Sequence, residues 1–148
     1  MFIFKNDIKY FDDLPNLDLL FSKFILPVNA SDYLNLDFYR NWLVGFTNAE
    51  GSFLIKNNND ACYQLKQVNH IQLFESFKLL FNTKRNLYFE KDNFVQFCVS
   101  SKSDIQKVID FFSFSGLHPL IGLKNIQYFN WLNNLKKTFR YKNLNFPK

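Results

Sequence analysis

The sequence predicts an α+β domain in the order α-β-β-α-β-β-α, followed by one further helix, with a curved antiparallel sheet and helices on one face. An apolar, helix-like segment ends at Glu50 and is followed at once by alternating strand residues. Two clusters of turn residues, 57–60 and 91–93, each separate two strand-like runs. Segments with helical spacing follow both hairpins, so the second face of the sheet is left open.

The first half of this order starts with a helix over residues 37–50, for which Asp37 is the predicted N-cap. Residues 52–56 and 62–67 alternate as the strands of the first hairpin. Apolar residues at helical spacing predict the second helix over 70–82. Each element is short, as expected for a small domain.

The second half starts with a hairpin over residues 87–90 and 94–100. Ser101 or Ser103 is predicted to cap a helix through Phe112. The last helix is predicted over 123–140, with four apolar residues toward the core: Ile126, Phe129, Leu132 and Leu135.

Residues 1–36 differ from the rest and are predicted to form an acidic, partly ordered leader before a folded domain of residues 37–148. Pro15 and Pro27 interrupt any long helix there, although 17–24 is expected to form a short one. The leader and the next two residues hold six acidic and three basic residues, whereas the whole chain has a net charge of +5.

The positive charge is concentrated late in the chain, since no acidic residue follows Asp110. The basic residues of this tail are Lys124, Lys136, Lys137, Arg140, Lys142 and Lys148. A basic body favours a polyanionic partner, and a solvated basic helix is the alternative explanation.

The cysteines and the apolar segments bear on cellular location. Cys62 and Cys98 lack metal-ligand spacing and are expected to be free thiols, which suits a reducing compartment. No run reaches the roughly 18 apolar residues of a membrane span, so no membrane partner is expected. The acidic N-terminus resembles neither a secretory signal nor a transit peptide. The abundance of Phe suggests AT-rich coding and thus a protein made in a mitochondrion or other organelle.

The segment 42–53 contains the most informative pattern in the chain. Gly45 and Ala49 are four residues apart on one helical face, where a second helix can approach closely. Glu50 ends this helix, although a negative charge opposes the helix dipole at that position. If two copies met through Gly45 and Ala49, their Glu50 carboxylates would need a divalent cation between them. The alternative for Glu50 is an ordinary solvated helix end.

Residues 43–51, Leu-Val-Gly-Phe-Thr-Asn-Ala-Glu-Gly, resemble the signature of the LAGLIDADG homing endonucleases, and the resemblance extends over about 37–140. It implies that Glu50 and the backbone carbonyl of Ala49 hold Mg²⁺. Glu50 replaces the more common Asp, and Asn48 replaces the first acidic residue of the signature.

The same resemblance implies two further catalytic residues. Gln67, at the end of the second strand, would orient water, and Lys124, after Pro119 and Leu120, would stabilise phosphate charge. The alternatives are a polar strand end for Gln67 and one more basic helix residue for Lys124.

Nucleic-acid readout is expected from the open sheet face, where polar side chains can contact base edges and phosphates. The candidates on this face are Ser52, Leu54, Lys56, Gln64, Lys66, Tyr88, Glu90, Gln96 and Cys98. Lys136 and Lys137 of the basic tail are expected to contact phosphates.

The function favoured by these observations is site-specific cleavage of double-stranded DNA by a metal-dependent homodimer. A non-cleaving RNA-binding protein on the same fold, such as an intron maturase or an organellar ribonucleoprotein component, remains the alternative. A third possibility is a chain whose second motif comes from a different partner chain.

Overall fold

The computed structural model describes residues 26–148. The helix expected over 17–24 lies outside the described residues. The described end of the leader contains a short helix, α1 (Ala30–Leu34). The Ala30 N–H donates to Gln72 Oε1 at 2.9 Å, so α1 lies against the rest of the fold. The proposed domain boundary at residue 37 stays a prediction.

The remaining elements follow the predicted order. They are α2 (Tyr39–Glu50), β1 (Gly51–Ile55), β2 (Ala61–Val68), α3 (Ile71–Leu80), β3 (Tyr88–Phe89), β4 (Phe94–Val99), α4 (Lys102–Ile109), a π-helical segment (Asp110–Phe114) and α5 (Gly122–Lys137). The strands form one antiparallel sheet in the order β1-β2-β4-β3, which confirms the predicted fold class. Within residues 26–148, no helix is both long and apolar enough to cross a membrane.

The core lies between one face of the sheet and the helices. Alternate strand residues, including Phe53, Tyr63, Leu65, Val95 and Phe97, are buried on this face. Helical residues such as Leu43, Phe74, Phe77, Ile105 and Leu135 pack against them. Aromatic rings therefore make up much of the core, which uses the high Phe content of the chain.

The helix starts agree with the prediction at one site and not at the other. Ser101 caps α4, accepting a hydrogen bond from the Asp104 N–H at 3.1 Å. Asp37 does not cap α2, because that helix begins after Phe38, which forms no side-chain cap. The chain enters α2 through a turn in which the Tyr39 N–H donates to the Leu36 carbonyl at 3.0 Å, so backbone replaces the expected cap.

The orientation predicted for the last helix was half wrong. Leu132 and Leu135 are buried, but Ile126 and Phe129 are 57% and 51% exposed. Tyr128 and Trp131 are buried in their place. α5 carries apolar side chains on most of its sides, so their spacing alone does not fix which side faces the core. The buried side is the one whose aromatic side chains also find hydrogen-bond partners. The Tyr128 hydroxyl is 2.7 Å from Ser113 Oγ, and Trp131 Nε1 donates to the Leu54 carbonyl at 3.1 Å.

The prediction of free thiols was wrong, because Cys62 and Cys98 form a disulfide. β2 pairs with β4, and Cys98 lies opposite Gln64, two residues from Cys62. The two cysteines are therefore diagonal neighbours on one face, with their Cα atoms 6.4 Å apart. Sequence spacing did not reveal this, because the pairing of non-consecutive strands brings them together.

Candidate functional site

The C-terminal end of α2 is fixed against the sheet by the chain itself. Thr47 is fully buried, and its Oγ1 is 2.8 Å from the Tyr63 hydroxyl of β2. Burial of that hydroxyl raises the pKa of Tyr63. At Gly51 a Cβ would lie 2.6 Å from the Thr47 side chain and 2.7 Å from the Thr47 carbonyl oxygen. This close approach turns the helix directly into β1 and leaves Ala49 and Glu50 exposed.

Two asparagines of α2 hold the segment that leads into α5. Asn41 Oδ1 accepts from the His118 N–H at 2.9 Å, and Asn48 Oδ1 accepts from the Ile121 N–H at 3.0 Å. Asn48 therefore has a structural role. It places the start of α5 beside the end of α2.

Lys124 lies in the first turn of α5, and this position brings its side chain to Gly51, the residue after Glu50. Its Nζ donates to the Gly51 carbonyl and, at 3.2 Å, to Gln127 Oε1. A cation in the first turn of a helix opposes the helix dipole, just as Glu50 does at the end of α2. Neither charge is therefore explained by the stability of its own helix.

Gln67 lies at the same end of the sheet, but the structure does not join it to the other two residues. Gly51 pairs with Leu65, so Gln67 is two residues beyond the first residue of β1. Its Oε1 accepts from the Val68 N–H at 2.9 Å. No hydrogen bond links it to Glu50 or Lys124 in residues 26–148, and its catalytic role stays a prediction.

A groove beside α2 contains both predicted dimer residues and Lys124. We call it the motif groove; it has a volume of about 650 Å³ and is lined by Gly45, Asn48, Ala49, Ile121, Leu123, Lys124 and Gln127. A Cβ placed on Gly45 would meet no atom within 4 Å. Leu123, at its rim, is 86% exposed. Gly45 thus has open space beside it within the described chain.

The open face of the sheet has the composition that the alternation predicted. Ser52 pairs with Gln64 and Gln64 with Cys98, while Lys66 pairs with Gln96 and Gln96 with Tyr88. Leu54 lies opposite Cys62 on the same face. Lys56 is exposed just after β1.

Three of the predicted contact residues are already engaged on this face. Lys66 Nζ is 2.6 Å from Glu90 Oε2 and 5.3 Å from the centre of the Phe94 ring. Cys98 is bonded to Cys62 and offers no thiol. In contrast, the amides of Gln64 and Gln96 make no side-chain hydrogen bond within the described residues.

A basic cleft on the open face was missed at the sequence level. Lys84 and Arg85 join Lys56 around a cleft of about 560 Å³, beside Tyr88 and Gln96. Their loop is anchored because Thr83 Oγ1 donates to Asp104 Oδ2 at 2.9 Å. The signal was the Lys84-Arg85 pair between a helix and a hairpin, in a segment without periodicity.

Lys136 and Lys137 lie far from the motif groove. Both are exposed in the last turn of α5, about 18 Å along the helix from Lys124 at 1.5 Å per residue. The helix end is fixed near the β1–β2 turn by the ion pair of Arg140 with Asp60. Lys136 Nζ is 5.6 Å from the centre of the Phe146 ring.

One chain supplies few metal ligands at the end of α2. Residues 26–148 contain no cluster of three His, Cys, Asp or Glu side chains suited to a metal ion. The available donors are the exposed Glu50 carboxylate and the last backbone carbonyls of α2, which lack helical partners. These are oxygen donors, the kind that Mg²⁺ prefers.

Comparison with known proteins identifies the family. The sequence pattern of the LAGLIDADG endonucleases matches residues 43–135. The chain belongs to this family. It is 29% identical over 106 residues to the probable intron-encoded endonuclease aI3 of Dictyostelium citrinum. That match covers 70% of this chain and 42% of the relative, so the chain spans less than half of the relative's length.

Solved LAGLIDADG structures share the fold. An I-SmaMI variant superposes with a TM-score of 0.57 and 23% identity, over 84% of this chain and 46% of the other. The homing endonuclease I-TnaI gives 0.55 and 19%, over 66% and 71%. I-LtrWI, solved bound to its target DNA, gives 0.55 and 21%, over 75% and 41%.

Proposed function

We propose that the protein is a metal-dependent, site-specific DNA endonuclease of the homing type that acts as a homodimer. The observation that supports this most directly is the Lys124 ammonium held at Gly51, next to the exposed Glu50 and in the groove that Gly45 and Ala49 line. A carboxylate and an ammonium that both oppose their helix dipoles are better explained by chemistry than by folding.

The donor set fits a divalent cation if two copies meet. Glu50 and the Ala49 carbonyl of each chain would hold Mg²⁺, and a two-fold axis through the motif groove would bring both sets together. When bound, the cation would activate water and neutralise charge on the leaving oxygen. Lys124 would donate to the developing phosphate charge, and Gln67 would orient water. A different chain with the same motif is the alternative source of the second set.

The open face fits duplex DNA. A two-stranded antiparallel ribbon enters a major groove, where Gln amides bond adenine edges and Arg or Lys side chains bond guanine or phosphate. The unengaged amides of Gln64 and Gln96 suit the first task, and the cleft of Lys56, Lys84 and Arg85 suits the second. The I-LtrWI relative was solved on its target DNA, which supports the same use here.

One observation favours the alternative, a non-cleaving RNA-binding protein such as a maturase or an organellar ribonucleoprotein component. The side chains of Lys136 and Lys137 are exposed and lie away from the proposed cleavage site. They would bind RNA phosphates without a metal ion. For either function, an intron-encoded relative supports synthesis in a mitochondrion or another organelle.

The decisive experiment is the substitution Glu50→Gln. We would select a cleavable duplex from a randomised library with Mg²⁺ and then measure cleavage and binding of that duplex separately. The variant should lose at least about a hundredfold in cleavage rate, a typical loss when charge stabilisation is removed, with binding retained. Glu75→Gln, on α3 in an ion pair with Lys78, is the matched control and should cleave normally. Parallel loss of folding and binding in Glu50→Gln would favour a purely structural role.

A further inference from the structure

We propose that Gln127 is the positioning residue of Lys124: its side-chain oxygen holds the ammonium in the motif groove and so sets the rate of phosphodiester cleavage. This inference rests on the proposed function. Its basis is the 3.2 Å hydrogen bond from Lys124 Nζ to Gln127 Oε1.

The geometry of α5 makes this contact local and specific. Gln127 follows Lys124 by three residues, so the two side chains emerge on the same side of the helix. The second acceptor, the Gly51 carbonyl, belongs to β1. Two acceptors from different elements restrict a long, flexible side chain that otherwise has many rotamers.

The chemistry of the acceptor matters as much as its position. An ammonium has three N–H donors, and the two acceptors leave one for a phosphate oxygen. Both acceptors are uncharged, so Lys124 keeps its full positive charge toward the groove. A carboxylate at position 127 would hold the ammonium equally well but would cancel that charge.

Gln127 contributes little else to the fold. Within the described residues, its side chain makes no other hydrogen bond than the one with Lys124, and it is partly exposed. Removal of the amide should therefore affect Lys124 without loosening the core.

The test is a double-mutant cycle in the 148-residue chain with the selected duplex and Mg²⁺. Gln127→Met should slow single-turnover cleavage by about 10–100-fold, the scale of a misplaced catalytic group, without weakening duplex binding. Gln127→Glu should also be slow, because its charge opposes the phosphate. In a Lys124→Met background, Gln127→Met should cause no further loss. Asn130→Leu, one turn along α5, is the control and should cleave at the wild-type rate.

A second measurement does not depend on cleavage. Acylation of lysine amines by a succinimidyl ester, quantified by peptide mass spectrometry, should be slower at Lys124 than at the exposed Lys142. In Gln127→Met the Lys124 rate should rise toward that of Lys142. Additive losses in the cycle, or an unchanged Lys124 acylation rate, would overturn the inference. If the wild type cuts no duplex while acylation still responds, the proposed function fails and the holding contact stands.

Discussion

The two glycines of the motif, Gly51 and Gly45, have opposite surroundings within the described chain. A side chain at Gly51 would collide with Thr47 of the same chain, at 2.6 and 2.7 Å from its side chain and carbonyl oxygen. A side chain at Gly45 would meet nothing within 4 Å. Gly51 is therefore explained by this fold, whereas Gly45 is unexplained until a second helix lies against α2. The two faces of the sheet differ in the same way, because one packs against the helices of this chain and the other is the open face.

The largest expected effect comes from filling the space at Gly45. Gly45→Leu should raise the dimer dissociation constant at least about a hundredfold, or roughly 3 kcal/mol, because two helices can no longer approach. The folded monomer should be no less stable, since replacing a helical glycine gains about 0.5–1 kcal/mol. Light scattering at micromolar concentration and urea unfolding measure the two effects.

Gly45→Ala serves as the graded control for this prediction, because it adds a single methyl group and should weaken association less. A wild-type chain that remains monomeric, with and without nucleic acid, would contradict the homodimer and point to a different partner chain.

The reciprocal substitution, Gly51→Ala, should destabilise the folded monomer. Its methyl group would force Thr47 or the start of β1 to move, at a cost of about 1–3 kcal/mol in the free energy of unfolding. Chemical denaturation of the protein below its association concentration measures this. If the Gly51→Ala monomer were as stable as the wild type, the close approach to Thr47 would not be the reason for this glycine.

The open face of the sheet allows a similar test, on side chains that have no partner in the described chain. Gln64→Ala and Gln96→Ala should each lose roughly 1–3 kcal/mol of discrimination between the selected duplex and single-base variants, because their amides have no partner within the described chain. Folding should be unaffected. Competition binding with a panel of duplexes is the measurement. Uniform weakening across all duplexes would instead indicate backbone contacts.

The smallest effect is expected from the basic tail. Substituting Lys136 and Lys137 by Ala should weaken binding to all duplexes by a similar factor and reduce the salt slope by about one per lysine. Binding titrations at several salt concentrations, with a selected duplex and with a structured RNA, measure the two effects and compare the affinities for DNA and RNA. Dependence on these lysines alone, with RNA bound more tightly than any duplex, would favour the RNA-binding function.

Local patterns were sufficient for the order of elements, because turn residues and period-two alternation act over a few neighbours. They failed for the features that depend on tertiary contacts. The rotation of α5 depends on Trp131 reaching the Leu54 carbonyl, and the disulfide depends on β2 pairing with β4.

The candidate site shows the same division. Glu50 and Lys124 were predicted from the family resemblance. In the structure, Asn41 and Asn48 hold the segment before α5 against α2, so that Lys124 lies beside the residue after Glu50. Lys84 and Arg85 were overlooked, because their position on the open face depends on a loop anchored to α4.

The placement of α5 has a consequence for the newly made chain. β1 is one of the two edge strands of the sheet, and exposed strand edges recruit other chains into aggregates. The helix lies along this strand and bonds the carbonyls of Gly51 and Leu54 through Lys124 and Trp131. The helix therefore covers part of a strand edge that would otherwise be open to pairing with a strand of another chain.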